Sequence, residues 1–69
     1  MNAPSPEAIA VGRDLVFEAI REQLDLAASF ALSAREAAFR GNPATLEIHL
    51  RQLRLCVLDA ISTYKELLQ

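Results

Sequence analysis

His49 and Cys56 are the two residues of this 69-residue chain whose types are typical of metal binding or catalysis. They are seven positions apart in a stretch of helical pattern, which separates their side chains by two turns, about 10 Å. Metal ligands on one helix are usually three or four positions apart, so that both reach the same ion. We therefore interpret His49 as a residue at the edge of the core and Cys56 as a small buried hydrophobe. A dimer would leave one further option, in which His49 meets Glu47 or its own symmetry mate.

The other polar residues form no pattern that would support catalysis. The candidate hydroxyl nucleophiles have no His–acid pair near them in the pattern: Ser29, Ser33, Thr45, Ser62 and Thr63. A lone cysteine allows neither an internal disulfide nor a zinc knuckle. The acids of the N-terminal half follow one polar strip and lack the His partners that a di-metal carboxylate bundle uses. We expect no enzyme activity, no cofactor and no metal.

Composition favours a small helical domain. Apolar residues make up 52% of the chain, mostly Ala and Leu, and there are two glycines, a mixture that favours helix over strand. The net charge of −2 gives no basic excess for nucleic acid or anionic lipid. The first residues lack the pattern of a signal peptide, and no run approaches about 18 apolar residues. We expect a cytoplasmic protein with no membrane association.

Start and stop signals divide the chain into two helices. Ser5-Pro6-Glu7 is typical of a helix start, with Ser as N-cap and Pro in the first turn. Arg40-Gly41-Asn42-Pro43 ends this helix at a glycine and at once caps another. We predict a short flexible N-terminus over 1–5 and a helical hairpin over 6–69. Its first helix covers about 6–40, the turn 41–42 and the second helix about 43–68, and so short a turn makes the helices antiparallel.

Heptad spacing predicts where the helices meet. In the second helix the predicted contact residues are Leu46, Leu50, Leu53, Val57, Ala60, Tyr64 and Leu67. In the first helix they are Val16, Ile20, Leu24, Ala27, Ala31, Ala34 and Ala38. The first helix also carries an apolar shoulder beside this stripe, too wide for one neighbouring helix to cover. We therefore predict an all-α hairpin that dimerises into a four-helix bundle. The shoulder is the predicted dimer interface: Leu15, Ala19, Leu26, Phe30 and Ala37.

Charge and a second apolar group suggest further contacts. Residues 1–25 contain five acids and two arginines, net −3, whereas residues 35–54 contain four arginines and two acids, net +2. An antiparallel dimer would bring these opposite ends together. On the far side of the second helix lies a predicted partner-binding surface of aliphatic and arginine residues: Ile48, Leu55, Leu58, Arg51 and Arg54. The alternative is that these aliphatic residues are scattered surface or dimer core.

The short hairpin, the alternating four-and-three spacing and the Gly41-Asn42-Pro43 turn resemble the architecture of the Rop family. This resemblance covers most of the chain and involves no residue motif. It implies a homodimeric four-helix bundle that binds paired RNA loops. The basic residues near the turn would then contact phosphates: Arg35, Arg40, Arg51 and Arg54. Rop-like proteins use Lys, Asn and Gln on the outer face of one helix pair, whereas the comparable face of the first helix here is acidic.

The sequence thus predicts a small non-enzymatic protein–protein interaction module, a bacterial-type regulator or adaptor that acts as a homodimer through a helical apolar face. Its partners would be a second copy of itself and another protein, with nucleic acid less expected. One alternative is the Rop-like RNA-binding bundle. Another is a structural subunit of a larger assembly, in which residues 6–14 contact a neighbour.

Overall fold

The computed structural model describes residues 3–69, which form two long helices and a short final turn of helix. Helix α1 is Pro6–Phe39 and helix α2 is Pro43–Lys65, followed by a 3-10 helix at Glu66–Leu68. Within residues 3–69 there is no strand, so the all-α prediction is confirmed. The predicted flexible segment 1–5 lies partly outside this range, since its first two residues are not described; residues 3–5 precede α1.

Both helices begin at a capping side chain. Ser5 Oγ accepts a hydrogen bond from the Ala8 amide at 3.1 Å, and Asn42 Oδ1 accepts one from the Thr45 amide at 3.1 Å. A proline follows each cap in the first turn, where its missing N–H leaves no intrahelical bond unmade. These caps fix where each helix starts.

The turn between the helices is a Schellman motif. Gly41 has φ of 66°, in the left-handed region that glycine adopts without steric cost. Its amide donates to the carbonyl of Ala38 at 3.1 Å, and the Asn42 amide donates to the carbonyl of Ala37 at 2.9 Å. Two carbonyls at the end of α1 are thereby satisfied within two residues. The chain reverses at once, and α1 and α2 pack against each other as an antiparallel hairpin.

The contact between the helices, here called the seam, has small side chains at its most buried positions and larger half-buried ones beside them, such as Ile20, Phe30 and Leu53. Its buried residues are Ala27, Ala34, Ala37, Cys56 and Ala60. No large side chain of the described chain is fully buried. Small residues let two helix backbones approach closely, so this seam is narrow and holds little apolar volume.

The predicted seam is wrong in one of the two heptad columns of each helix. Eight of the fourteen predicted residues are buried or half-buried, among them Ile20, Ala27, Ala34, Leu53 and Ala60. The other predicted column is exposed: Leu24, Ala31, Ala38, Leu50, Val57 and Tyr64. Its places are taken by residues one position earlier: Gln23, Phe30, Ala37, His49, Cys56 and Thr63. Both phases keep a four-and-three spacing. On α2 the hairpin uses the column without large aliphatic side chains, whereas on α1 the column that it uses includes Phe30.

Candidate interaction surfaces

The two flat sides of the hairpin differ in polarity, and an open cleft lies on the more polar side. This cleft, of about 440 Å³, lies near the turn, and its lining includes Ser33 and Ala37 of α1 with Thr45 and His49 of α2. Ser33 and Thr45 therefore lie on the same side of the hairpin. The helical repeat continues that side as a column of polar residues on α2: Thr45, Gln52 and Asp59.

The opposite side is apolar on both helices. On α1, the residues on the other side of the seam from Ser33 form a column that recurs every seven positions. On α2, the residues on the other side of the seam from Thr45 form a second column with the same repeat. Because Ser33 and Thr45 share one side, these two columns share the other. We call this surface the second apolar face, and its large residues are Phe17, Leu24, Leu50, Val57 and Tyr64. All five are 40–53% exposed, with Phe17 the most exposed.

The predicted dimer-interface residues do not share one exposed surface. Leu15 and Leu26 are exposed, while Ala19 and Phe30 are half-buried. Ala37 is only 4% exposed, because it packs in the seam of its own hairpin. The assignment of these five residues to a dimer interface remains a prediction, but burial of Ala37 needs no second chain.

The predicted partner-binding residues all lie on the outer side of α2, away from the seam. Ile48, Leu55 and Leu58 are 46–61% exposed. Arg51 pairs with Glu47 at 2.7 Å, and it lines a shallow depression together with Arg54 and Leu55. We call these five residues the outer patch of α2. They present aliphatic side chains between guanidinium groups on one helix.

His49 and Cys56 both line the seam rather than a shared site. The Nδ1 atom of His49 lies 3.0 Å from Oε1 of Gln52, one turn further along α2. Cys56 is buried as a free thiol, as predicted. In the described range 3–69, no three His, Cys, Asp or Glu residues come together in a group that could hold a metal ion.

One polar contact across the seam was missed from the sequence. Gln23 Nε2 donates to Thr63 Oγ1 at 3.0 Å, and Thr63 Oγ1 donates to the carbonyl of Asp59 at 3.0 Å. The Oε1 atom of Gln23 is buried and accepts no hydrogen bond from residues 3–69. Gln23 directly precedes Leu24, and the heptad spacing assigned the apolar Leu24 to the contact instead of Gln23. A polar residue in a seam column fixes the pairing of two helices, and this contact aligns residue 23 with residue 63.

In comparisons with known proteins, no family model, no curated protein and no solved structure matches the chain. The resemblance to the Rop architecture therefore remains an expectation from the sequence pattern. No helix within residues 3–69 combines the length and apolar character needed to cross a membrane.

Proposed function

We propose that this chain is a protein–protein interaction module without enzymatic activity, which forms a homodimeric four-helix bundle and binds another protein. One observation carries the proposal: the hairpin leaves far more surface exposed than a compact protein of its mass. Its accessible area is 5644 Å², whereas a folded monomer of this mass exposes about 4,300 Å². Much of the excess is apolar, because sixteen large hydrophobic residues of the described range are exposed.

The shape of the hairpin agrees with this interpretation. Its radius of gyration is 16.8 Å and it measures 58 × 15 × 12 Å, whereas a compact domain of this length has a radius of about 11 Å. Two helices side by side have no third layer to cover their flat sides. A second hairpin would supply that layer and complete a four-helix bundle.

The outer patch of α2 supports binding to a different protein. Aliphatic residues flanked by arginine are typical of interface composition. Leu55 lines a shallow depression with Arg51 and Arg54 on the outer side of α2, where a neighbouring helix of acidic character would fit. Arg51 already pairs with Glu47 within the helix, whereas Arg54 forms no ion pair with any residue in the range 3–69. The guanidinium group of Arg54 is thus available to orient an acidic partner.

The dimer is tested with the unmodified protein by sedimentation equilibrium and by thermal unfolding at several concentrations. If folding and association are coupled, the unfolding temperature rises by about 5 °C for each tenfold increase in concentration, because two chains unfold together. A monomeric mass at high micromolar concentration, with an unfolding temperature independent of concentration, would overturn this part of the proposal.

The partner-binding role is tested with a matched pair of variants. Leu55→Asp changes the outer patch of α2, and Leu32→Asp makes the same change at a similarly exposed site on α1. A protein captured from native cells is purified, and its affinity for wild type and both variants is measured. We expect Leu55→Asp to weaken binding at least about 30-fold, as at an interface hot spot, and Leu32→Asp to change it little. Equal effects of the two variants would exclude the outer patch as the binding surface.

A further inference from the structure

We infer that the second apolar face is covered by a second copy of this chain, packed antiparallel so that the two turns lie at opposite ends of the bundle. This inference rests on the proposed function and deepens it, since it identifies the dimer surface and the orientation of the copies. It replaces the surface expected from the sequence with the opposite side of the hairpin.

The composition of the two sides favours this face. The second apolar face contains no charged residue in its two columns, from Phe17 to Ala38 on α1 and from Leu50 to Tyr64 on α2. The opposite side carries Gln52 and Asp59 on α2 and the cleft lined by Ser33 and Thr45. A dimer centred on that polar side would remove the Asp59 carboxylate from water without a partner among these residues, which is costly. The apolar side carries no such cost.

The exposed area is what a stable dimer needs. Each chain exposes about 1,350 Å² more than a compact monomer of its mass, so two copies carry about 2,700 Å² in excess. Obligate homodimers bury roughly 2,000–5,000 Å² in total. A short peptide or a small ligand would cover only part of a face that extends from Phe17 to the turn. The extent of the face therefore matches another hairpin of the same length.

Charge determines the orientation. Five acids and two arginines lie in residues 3–25, whereas four arginines and two acids lie in residues 35–54. With the turns at the same end, like charges would be adjacent at both ends of the bundle. With the turns at opposite ends, the basic end of each copy lies near the acidic end of the other, and the attraction fixes the orientation.

The first experiment uses Tyr64 as an intrinsic probe. It is the one tyrosine in a chain without tryptophan, it lies on the second apolar face, and it is half exposed in the hairpin. Acrylamide quenching of its fluorescence is measured while the unmodified protein is diluted through the dimer–monomer transition. We expect the quenching constant to increase at least about twofold on dissociation. A constant that is the same for dimer and monomer would overturn the assignment of this face.

The second experiment compares Val57→Glu with Leu26→Glu, in each case after helix content has been checked by circular dichroism. Val57 belongs to the second apolar face, and Leu26 belongs to the surface expected from the sequence. We expect Val57→Glu to raise the dimer dissociation constant at least about 100-fold, because it buries an unpaired carboxylate, while Leu26→Glu has little effect. If Leu26→Glu raised the dissociation constant more than Val57→Glu did, this assignment of the dimer face would be overturned, but the existence of the dimer would not be contradicted. A wild-type protein that is monomeric at all concentrations would instead contradict the proposed function. If Val57→Glu fails to fold, the quenching experiment decides.

The third experiment measures orientation. A nitroxide is attached at Ala44→Cys, an exposed position beside the turn, in a chain carrying Cys56→Ala. Since α2 rises 1.5 Å per residue, antiparallel copies place the two labels at least about 35 Å apart, whereas copies with their turns together place them within about 25 Å. A distance in the shorter range would overturn the antiparallel orientation.

Discussion

Replacement of Gln23 by methionine is expected to stabilise this protein, although it removes a hydrogen bond. Gln23 Nε2 donates to Thr63 Oγ1 at 3.0 Å, but Oε1 of the same side chain is buried without a hydrogen-bond donor among residues 3–69. Turning the amide over would not help, because Nε2 would then occupy the position that has no partner. In either orientation one polar atom of Gln23 is buried and unsatisfied.

The magnitude follows from two opposing terms. Loss of the bond to Thr63 costs about 1 kcal/mol, and removal of a buried unsatisfied acceptor gains about 1–3 kcal/mol. Thr63 keeps its own bond to the carbonyl of Asp59 and is not left without a partner. Methionine is unbranched like glutamine and close to it in length, so it fills the same space in the seam. We expect a net gain of about 1 kcal/mol, which corresponds to roughly 4–8 °C in unfolding temperature for a domain of this size.

Urea unfolding followed by circular dichroism, at one fixed protein concentration, measures this difference. The matched control is Gln52→Met, because the Oε1 atom of Gln52 is hydrogen-bonded to His49 Nδ1 at 3.0 Å. Since this variant loses a bond and relieves no unsatisfied atom, we expect it to destabilise the protein by about 1 kcal/mol. A loss of 1 kcal/mol or more on Gln23→Met, with the helix content unchanged, would refute the reasoning, because it would mean that Oε1 has a hydrogen-bond donor in solution.

Three further predictions concern the backbone, the caps and the seam, and each is measured by the same unfolding experiment. Gly12→Ala should stabilise the protein by up to about 1 kcal/mol, because Gly12 is helical with open space around it. Gly41→Ala should destabilise it by a similar amount, because φ at Gly41 is 66°. If both variants changed the free energy of unfolding in the same direction, the assigned turn would be contradicted. Asn42→Ala should cost about 1 kcal/mol by leaving the Thr45 amide uncapped, and an unchanged stability would show that the cap is not needed. Ala34→Leu should cost about 1–3 kcal/mol, because the buried Ala34 lies where the helices approach closely, and a stabilised variant would mean that the seam is wider than described.

The ends of the helices were predictable because their causes are local. Ser5 and Asn42 cap from their own side chains, and Gly41 adopts a conformation that other residues avoid. None of these features depends on a distant part of the chain. The sequence alone therefore predicted both helix starts and placed the end of α1 within a residue, and it predicted the antiparallel hairpin that the short turn produces. The second helix was predicted to continue to about 68, whereas α2 ends at Lys65 and the next three residues form a 3-10 helix.

The phase of the seam was not predictable in the same way, because both helices are apolar over a wide arc. Two heptad phases fit such an arc equally well, and the wrong one contains the larger aliphatic residues. A rule that places the largest hydrophobic residues inside selects Leu24 and Val57 over Gln23 and Cys56. The structure places Cys56 inside and Leu24 outside. The width of the apolar arc indicates that a second surface is apolar, but it does not indicate which part of the arc faces the other helix of the hairpin.

The placement of large aliphatic residues outside the seam has a physical reason if the hairpin is half of a four-helix bundle. Within a hairpin, two helices approach along one line, and small residues such as Ala27 and Ala34 permit that close approach. At the centre of a bundle four helices meet around a wider space, which small residues would leave as a cavity. Leu24, Leu50 and Val57 have the volume to fill that space, and they lie on one side of the hairpin. Were they turned into the seam, the helices would separate and the residues left outside would be Gln23 and Thr63, which offer little to a second chain. The arrangement with Ala27 and Ala34 in the seam and with Leu24, Leu50 and Val57 outside it is therefore one in which the seam and the dimer interface can both be well packed.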